Sequence, residues 1–182
     1  ENVYKLKKGE AILDLGCGTG DILNYIPEGI KYYGIDIREN YISEAEKKFR
    51  NKGVFFVEDA IKILKDKTKI IDKVDLIIAN GFLHHLDNEE AKDLLNNIRN
   101  YLKEGGRCIF LEPVYLFHQK KFSKWIMGLD RGQHIRSESE WKTLISSVFD
   151  SFQTHILQGL IFLPYIHILI ECKNDLFDDK RK

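Results

Sequence analysis

Glycine occupies every second position directly after the first apolar segment of the chain, and this feature constrains the fold most. The segment Ala11–Leu15 carries one acid, Asp14, and is followed by the turn Gly16–Gly20. A glycine-rich turn after a buried strand lets the backbone approach a ligand closely at the carboxyl edge of a sheet. The spacing argues against a polyphosphate ligand. Asp21 stands where a dinucleotide fingerprint needs its third glycine, and no Gly-Lys-Ser/Thr of a phosphate-binding loop follows.

Short apolar runs alternate with amphipathic stretches along the rest of the chain. The apolar runs predict seven strands, at Ala11–Leu15, Tyr32–Ile37, Val54–Val57, Val74–Ala79, Arg107–Leu111, Ser151–Leu163 and Tyr165–Cys172. The amphipathic stretches predict helices at Asp21–Ile26, at Ile42–Phe49, from an Asn88 cap to Gly105-Gly106, and after a capping box of Ser137 and Glu140. Alternating strands and helices favour a mostly parallel sheet covered on both faces.

The chain is interpreted as one domain over residues 1–182, because no linker or internal repeat divides it. Residues 114–136 are expected to form an insertion after the fifth strand, over the carboxyl edge of the sheet. Residues 174–182 are rich in charge and are expected to fray.

The composition argues against several classes of partner. The 182 residues include 28 basic and 28 acidic side chains, so electrostatics gives no reason to expect nucleic-acid binding. No apolar run approaches the roughly 20 residues of a membrane span, and none is expected. Cys17, Cys108 and Cys172 are too few and too scattered for a disulfide framework or a zinc site. We therefore expect reduced thiols, no bound metal and a cytoplasmic location.

Segments that follow the predicted parallel strands resemble, in order, the motifs of class I S-adenosylmethionine-dependent methyltransferases. The pattern D-x-G-x-G-x-G at Asp14–Gly20 is similar to the first motif, and Asp36 stands where the family's acid binds both ribose hydroxyls. Asp59-Ala60 resembles the adenine-contacting pair, and Asn80–Leu86 resembles the segment beside the methyl group. Leu102–Gly106 resembles the L-x-P-G-G turn before the fifth strand, with Glu where proline is common.

The resemblance implies a Rossmann-like, doubly wound, mostly parallel α/β sheet of seven strands that ends in an antiparallel hairpin. It also implies S-adenosylmethionine as the cofactor, held by residues at the strand ends. These are Asp14, Gly16, Cys17, Gly18, Gly20, Asp36, Ile37, Asp59, Ala60, Asn80, Gly81 and Phe82. The Asp36 carboxylate can accept two charge-assisted hydrogen bonds from vicinal hydroxyls. Asp14 is expected near the ammonium and sulfonium charges of the cofactor.

Methyl transfer from a sulfonium can rely on positioning alone, so a dedicated catalytic side chain is not required. A base would help a hydroxyl acceptor, and His84, His85 and His134 are the candidates. The alternative is that the paired histidines are simply one packed and one solvated ring.

The insertion at residues 114–136 is interpreted as a lid on the acceptor side. Phe122, Trp125, Ile126 and Leu129 recur at helical spacing and give it one apolar face, which could equally be core. The polar run after this face offers Asp130, Arg131 and Arg136 to hold an acceptor, although a salt-bridged surface loop would carry the same residues.

Three functions stay open at this stage. The first is methyl transfer to a small-molecule or lipid-like acceptor, at oxygen or nitrogen. The second is a non-catalytic S-adenosylmethionine-binding subunit, because binding and turnover need different residues. The third is a nicotinamide-dependent dehydrogenase, which Asp21 disfavours.

Family members usually carry a helix or two before the first strand, and only ten residues precede Ala11. We expect a longer chain or a partner to supply the helices that would cover the cofactor cleft. The sequence does not indicate whether the protein is a monomer or an oligomer.

Overall fold

The computed structural model describes residues 4–65, 72–130, 132–160 and 164–175. Its strands are β1 (Ala11–Leu15), β2 (Lys31–Asp36), β3 (Val54–Val57), β4 (Val74–Asn80), β5 (Leu102–Tyr115), β6 (Arg136–Ser137), β7 (Ser151–Gln158) and β8 (Ile166–Lys173). Its α-helices are α1 (Glu39–Phe49), α2 (Ala60–Lys65), α3 (Asn88–Tyr101), α4 (Lys121–Met127) and α5 (Glu138–Ser146). Short 3-10 turns cover Asp21–Asn24 and Leu83–His85.

Seven of these strands form one continuous path in the order β3-β2-β1-β4-β5-β8-β7, and the short β6 pairs with β5 outside that path. The pairs among β1 to β5 are parallel, whereas β8 lies antiparallel between β5 and β7. The strand order reverses between β1 and β4, which opens a crevice at the carboxyl edge. The predicted doubly wound sheet with its antiparallel hairpin is therefore confirmed.

Apolar side chains cover both faces of the sheet, as parallel strands with helical crossovers require. Successive β1 residues point to opposite faces: Leu13 belongs to the core under α2, α3 and α5, and Ile12 to the core under α1. Within β2, Gly34 allows close packing, because a Cβ there would lie 2.8 Å from Cys17 Sγ and 2.9 Å from Phe55. None of the described helices is long and apolar enough to cross a membrane.

Several predicted boundaries are wrong. Asp87, not Asn88, caps α3, since its side chain accepts from the Glu90 amide and Glu90 returns the bond. That helix ends at Tyr101, before the Gly105-Gly106 pair, and β5 already begins at Leu102. The helix expected from Asp21 shortens to one 3-10 turn. The capping box at the start of α5 is confirmed.

The expected fraying of the tail is wrong for Asn174. Its amide donates to the Gly106 carbonyl at 2.8 Å, and its carbonyl accepts from the Gly105 amide at 3.1 Å. Its side chain donates to the Lys103 carbonyl at 3.0 Å. The glycine pair is thus held by the end of β8, while residues 176–182 lie outside the described residues.

Candidate functional site

A pocket of about 380 Å³ lies at the carboxyl edge of the sheet, in the crevice between β1 and β4. Predicted cofactor-binding residues that line it are Gly16, Gly18, Asp36, Ile37, Asp59, Ala60, Asn80, Gly81 and Phe82. It is also lined by His85, one of the candidate bases, and by Ile35, Arg38, Tyr41 and Glu58, which the sequence did not single out. The ends of four parallel strands therefore contribute to one cavity.

The glycine turn presents its backbone to this cavity. Gly16 and Gly18 have φ angles of 75° and 55°, which L side chains rarely adopt. The amides of Gly16 and Cys17 both donate to the Ile35 carbonyl, at 2.8 and 2.9 Å, and tie the turn to β2. A Cβ at Gly18 would meet no atom within 4 Å. A ligand can therefore lie directly against the backbone there.

Asp36 lies at the end of β2 with its carboxylate held by two backbone amides. Its Oδ2 accepts from the Gly18 amide at 3.0 Å, and its Oδ1 accepts from the Arg38 amide at 2.9 Å. Each carboxylate oxygen can accept a further bond, since an ionised carboxylate has about four acceptor sites. The side chain is thus fixed in the cavity wall and can accept from two vicinal hydroxyls.

Asp59, which follows β3, both caps a helix and lines the cavity. Its Oδ1 accepts from the Ile61 amide at 2.8 Å, so the side chain caps the start of α2. The same residue lines the cavity next to Ala60. The capping bond fixes the direction in which this carboxylate meets a ligand.

Asp14 is buried and does not line the cavity. Its Oδ2 accepts from the Tyr32 hydroxyl at 2.7 Å. Burial raises the pKa of Asp14 to about 6, and the charge of Asp36 adds to this rise. The hydrogen bond from Tyr32 acts in the opposite direction and lowers the pKa. A proton-binding carboxyl therefore lies under the glycine turn.

Cys17 and Gly20 are also absent from the cavity wall and serve packing. The Cys17 sulfur covers Gly34 in the neighbouring strand, and burial raises the pKa of its thiol. A Cβ at Gly20 would lie 3.1 Å from Phe55 and 3.4 Å from Ala45. The first motif thus needs its last glycine for contact with α1 and β3.

Glu112 is a site residue that the sequence analysis missed. It is fully buried on β5, and its Oε1 accepts from the amides of Phe82 and Leu83, at 2.9 and 2.8 Å. The backbone after β4, which forms one wall of the cavity, is therefore held by a carboxylate from the adjacent strand. The Glu-Pro pair that ends the predicted fifth strand was its only signal in the sequence.

The two neighbouring histidines occupy different environments. Burial lowers the pKa of His84, but its bonds to Glu112 and Asp130 outweigh burial and leave the pKa raised. Partial desolvation, together with the charge of His84, lowers the pKa of His85. His85 lines the cavity, and its ring lies beside that of His84, tilted by 36° with 4.2 Å between centroids. At neutral pH, His85 is the ring suited to accept a proton.

The polar run after α4 contacts His84 rather than the cavity. Asp130 Oδ1 lies 3.4 Å from His84 Nε2, and its other oxygen accepts from the Tyr165 hydroxyl. His134 is exposed, and its amide donates to the His84 carbonyl at 3.0 Å. Among the described residues, none from 114–136 lines the cavity. Arg131 lies outside the described residues.

Arg136 was expected to hold an acceptor, but it does not line the cavity. Its guanidinium is buried and donates to the Asn88 side chain at 2.9 Å and to the Leu86 carbonyl at 2.8 Å. It also donates to the Leu83 carbonyl at 3.2 Å and lies 4.8 Å above the Trp141 ring. The residue braces the turn after β4 and the start of α3.

The apolar face predicted for α4 points mostly to solvent. Phe122, Trp125 and Leu129 are each more than 60% exposed, while Ser123 and Met127 are buried. Ser123 donates to the Pro164 carbonyl at 2.5 Å, so the polar residue makes the inward contact. The alternative that this face is core is therefore wrong.

The cavity suits S-adenosylmethionine in both shape and chemistry. Asp36 offers acceptors for a diol, Gly18 leaves room for close approach, and Ile37 is 69% exposed at the rim, where an aromatic base could cover it. Within the described residues, no group of three or more His, Cys, Asp or Glu side chains is arranged to hold a metal ion.

Comparison with known proteins agrees with this geometry. The methyltransferase domain family matches residues 6–162. The chain belongs to the class I S-adenosylmethionine-dependent methyltransferases. It is 34% identical, over 122 residues, to the ubiquinone/menaquinone biosynthesis C-methyltransferase UbiE of Wigglesworthia glossinidia brevipalpis, covering 61% of this chain and 47% of that protein.

Two further comparisons place this methyltransferase domain among its relatives. It is 26% identical to the malonyl-[acyl-carrier protein] O-methyltransferase of Halalkalibacterium halodurans, over 80% of this chain and 57% of that protein. The crystal structure of an S-adenosylmethionine-dependent methyltransferase from Methanosarcina mazei has the same fold, with a TM-score of 0.71 and 22% identity over 94% of this chain and 95% of that one. The chain spans about half the length of the curated relatives it matches.

Proposed function

We propose that this domain transfers a methyl group from S-adenosylmethionine to a small-molecule or lipid-like acceptor, at oxygen or nitrogen. The observation that carries the proposal is the cavity at the β1–β4 crevice, where Asp36, the Gly18 backbone and His85 meet. The relatives are named as carbon and oxygen methyltransferases. Oxygen is favoured here because a hydroxyl acceptor gains from a nearby base, and His85 is the neutral imidazole at this cavity.

When bound, the cofactor supplies a methyl group on a sulfonium that needs no further activation. The protein's task is to fix the two reactants in line, which can supply about 7–11 kcal/mol of the barrier. Asp36 would hold the ribose hydroxyls, Asp59 and Ala60 would meet the adenine, and the backbone of Asn80–Phe82 would border the reacting atoms. His85 would take the acceptor's proton.

Residues 114–136 are proposed to form an acceptor-side lid, which contacts the histidine pair and lies outside the described wall of the cofactor cavity. Their support is the contact of Asp130 with His84 and the hydrogen bond from the His134 amide to the His84 carbonyl. A cytoplasmic location is also proposed, and the free thiols of Cys17, Cys108 and Cys172 fit a reducing compartment.

Calorimetric titration with S-adenosylhomocysteine tests the cofactor site. Asp36→Ala should weaken binding by about 1.5–3 kcal/mol, roughly 10- to 150-fold, because hydrogen bonds to a charged group are lost. Asp21→Ala is the matched control, since Asp21 is an exposed acid at the end of the same turn and does not line the cavity. Equal affinities in both variants would contradict the assignment.

A non-catalytic cofactor-binding subunit is the alternative function. Transfer of isotope from labelled S-adenosylmethionine to a panel of hydroxyl and amine acceptors separates the two. A domain that binds S-adenosylhomocysteine but transfers no label to any acceptor, alone or as part of its full-length protein, would support the binding subunit.

A further inference from the structure

The outward side of α4 and the residues next to it form a surface patch that takes no part in the proposed cofactor site. Its apolar members are Phe122, Trp125 and Leu129, and its charged members are Lys120, Lys121 and Lys124, all of them exposed. We call these six residues the aromatic–lysine patch. With about 100° of rotation per residue, Lys121 and Phe122 both lie within about 60° of Trp125. Apolar and charged side chains are therefore interleaved on this side of the helix.

The opposite side of α4 is already packed against the rest of the domain. Ser123 and Met127 are buried there. The Gln119 side chain donates to Ser123 Oγ at 2.7 Å and to Met127 Sδ at 2.9 Å. Ser123 in turn donates to the Pro164 carbonyl. Because these bonds fix which side of the helix faces inward, the apolar side chains of the patch can be covered only from outside the domain.

The exposed rings of this region lie near one another. Those of Phe122 and Trp125 are stacked, with 6.1 Å between their centroids. Phe117, which precedes the helix and is 91% exposed, lines a shallow depression together with Lys124. Single exposed apolar side chains are common on protein surfaces, whereas a group of them with a polar rim marks an interaction site.

The segment is positively charged although the chain as a whole is neutral. Residues 113–129 contain three lysines and no Asp or Glu, in a chain with 28 basic and 28 acidic side chains. Glu138, which borders the same depression, pairs with Lys142 at 2.6 Å. The next acid in the chain, Asp130, lies against His84. The acids beside the patch are thus paired elsewhere, and its lysines are available to an anionic partner.

We propose that the aromatic–lysine patch binds a membrane surface that contains anionic lipid. Trp and Phe rings favour the region just below the lipid headgroups, and lysine ammonium groups can reach the phosphates while their alkyl stems stay in apolar surroundings. The centre of a protein–protein interface suits this patch less well, because lysine is depleted there. With seven residues, α4 would lie along the membrane surface rather than cross it. The inference goes beyond the proposed function and does not depend on which acceptor is methylated.

Tryptophan fluorescence tests the inference directly. The chain contains two tryptophans, of which Trp125 is exposed and Trp141 is fully buried, so a change in emission on binding reports on the patch. The probes are vesicles of pure phosphatidylcholine and vesicles with about a third of phosphatidylglycerol. With the anionic vesicles we expect a blue shift that added salt reverses and that brominated acyl chains quench. Binding to the neutral vesicles should be about 100-fold weaker. Equal binding to both, or no binding to the anionic vesicles, would overturn the inference.

A pair of lysine variants tests the contribution of charge. Lys121→Gln combined with Lys124→Gln should weaken binding to the anionic vesicles by about 25-fold, since each lysine near such a surface contributes about fivefold. The matched control is Lys47→Gln combined with Lys52→Gln, because both are exposed lysines, on and just after α1, outside the patch. Equal losses in the two double variants would show that net charge, and not the patch, determines binding, which would also overturn the inference.

Trp125→Ser tests the apolar contribution. Measured by co-sedimentation with the anionic vesicles, its binding should be about tenfold weaker. Tyr25→Ser is the control, since it removes a ring that is 84% exposed outside the patch, and its binding should not change. Both residues are exposed, so neither variant should alter the melting temperature or the affinity for S-adenosylhomocysteine. If the protein is instead a dimer that Trp125→Ser converts to a monomer, a second copy covers the patch and the inference is overturned.

Discussion

Glu112 and His84 form a buried pair in which 2.7 Å separates Oε2 from Nδ1. The carboxylate is fully buried, and the imidazole is nearly so. Burial disfavours an isolated charge. The Glu112 carboxylate is therefore stable in this position only while the His84 ring and the amides of Phe82 and Leu83 are hydrogen-bonded to it. This buried hydrogen-bonded pair therefore couples the stability of β5 to the shape of the cofactor cavity.

Glu112→Gln should destabilise the fold and weaken cofactor binding together. The amide keeps one oxygen acceptor but turns an NH₂ group toward donors, which leaves buried groups unsatisfied. We expect a loss of about 3 kcal/mol and a melting temperature lower by about 6–12 °C. Thermal unfolding and S-adenosylhomocysteine titration measure both effects.

Glu171→Gln is the control for that substitution. Glu171 lies on β8, and its ion pair within the described part of the chain is a long one, 3.8 Å, with the exposed Lys5. Its loss should cost less than about 1 kcal/mol, as for most surface pairs. If Glu112→Gln were no more damaging than Glu171→Gln, the wall after β4 would not depend on the buried carboxylate.

The sequence predicts the parallel sheet well because local signals determine it. The bounds of β1 and β3 agree with the apolar runs Ala11–Leu15 and Val54–Val57, each ended by residues that do not continue a strand. Asp36 could be placed in the site because a parallel strand must end at the carboxyl edge. Position along a strand is thus enough to assign a ligand-facing edge.

Long-range contacts account for most of what the sequence could not predict. Arg136 reads as a free cation in a polar run, yet its donors are used by Asn88 and Leu86, about 50 positions away in the chain. The exposure of Trp125 likewise depends on which side of α4 meets the sheet, and Ser123 takes that place through Pro164. Periodicity gives the face of a helix but not the surface that it meets.

Asp14→Asn should remove a loss of stability that the wild type shows as the pH rises. The fold raises the Asp14 pKa from 3.8 to about 6, so it favours the protonated carboxyl. This stabilising contribution is complete below pH 3.8 and is lost as the pH rises through about 6. Asparagine does not ionise. The stability of the variant relative to wild type should therefore increase by about 2.4 kcal/mol between pH 4 and pH 8.

Asp75→Asn should show the opposite sign in the same measurement. Burial raises the Asp75 pKa, but bonds from Lys103 and the Ala11 amide outweigh it and leave the pKa lowered. Its contribution is therefore present above the unfolded pKa and is lost as pH falls. Denaturant unfolding across this range checks both variants. Parallel curves for Asp14→Asn and wild type would contradict the raised pKa.

Gly18→Val should block the cofactor with only a modest loss of stability. The side chain would project into space where no protein atom lies within 4 Å, which is the space that a ligand needs. Gly105→Val is the control, since Gly105 also has a positive φ, 67°, and an open Cβ position, on β5 away from the cavity. Both should lose about 1–2 kcal/mol of stability. Only Gly18→Val should weaken S-adenosylhomocysteine binding more than about tenfold.

His85→Ala should lower turnover with a hydroxyl acceptor by about 10²–10⁴-fold, with little change in cofactor affinity. His134→Ala should leave turnover nearly unchanged, because His134 is exposed and does not line the cavity. The pKa of His85 lies below its usual value of 6.5, so its base form persists at lower pH. Wild-type turnover should therefore fall only at pH values below 6.5, and this acidic limb should vanish in His85→Ala. If His134→Ala removed the limb instead, the base would come from the segment after α4.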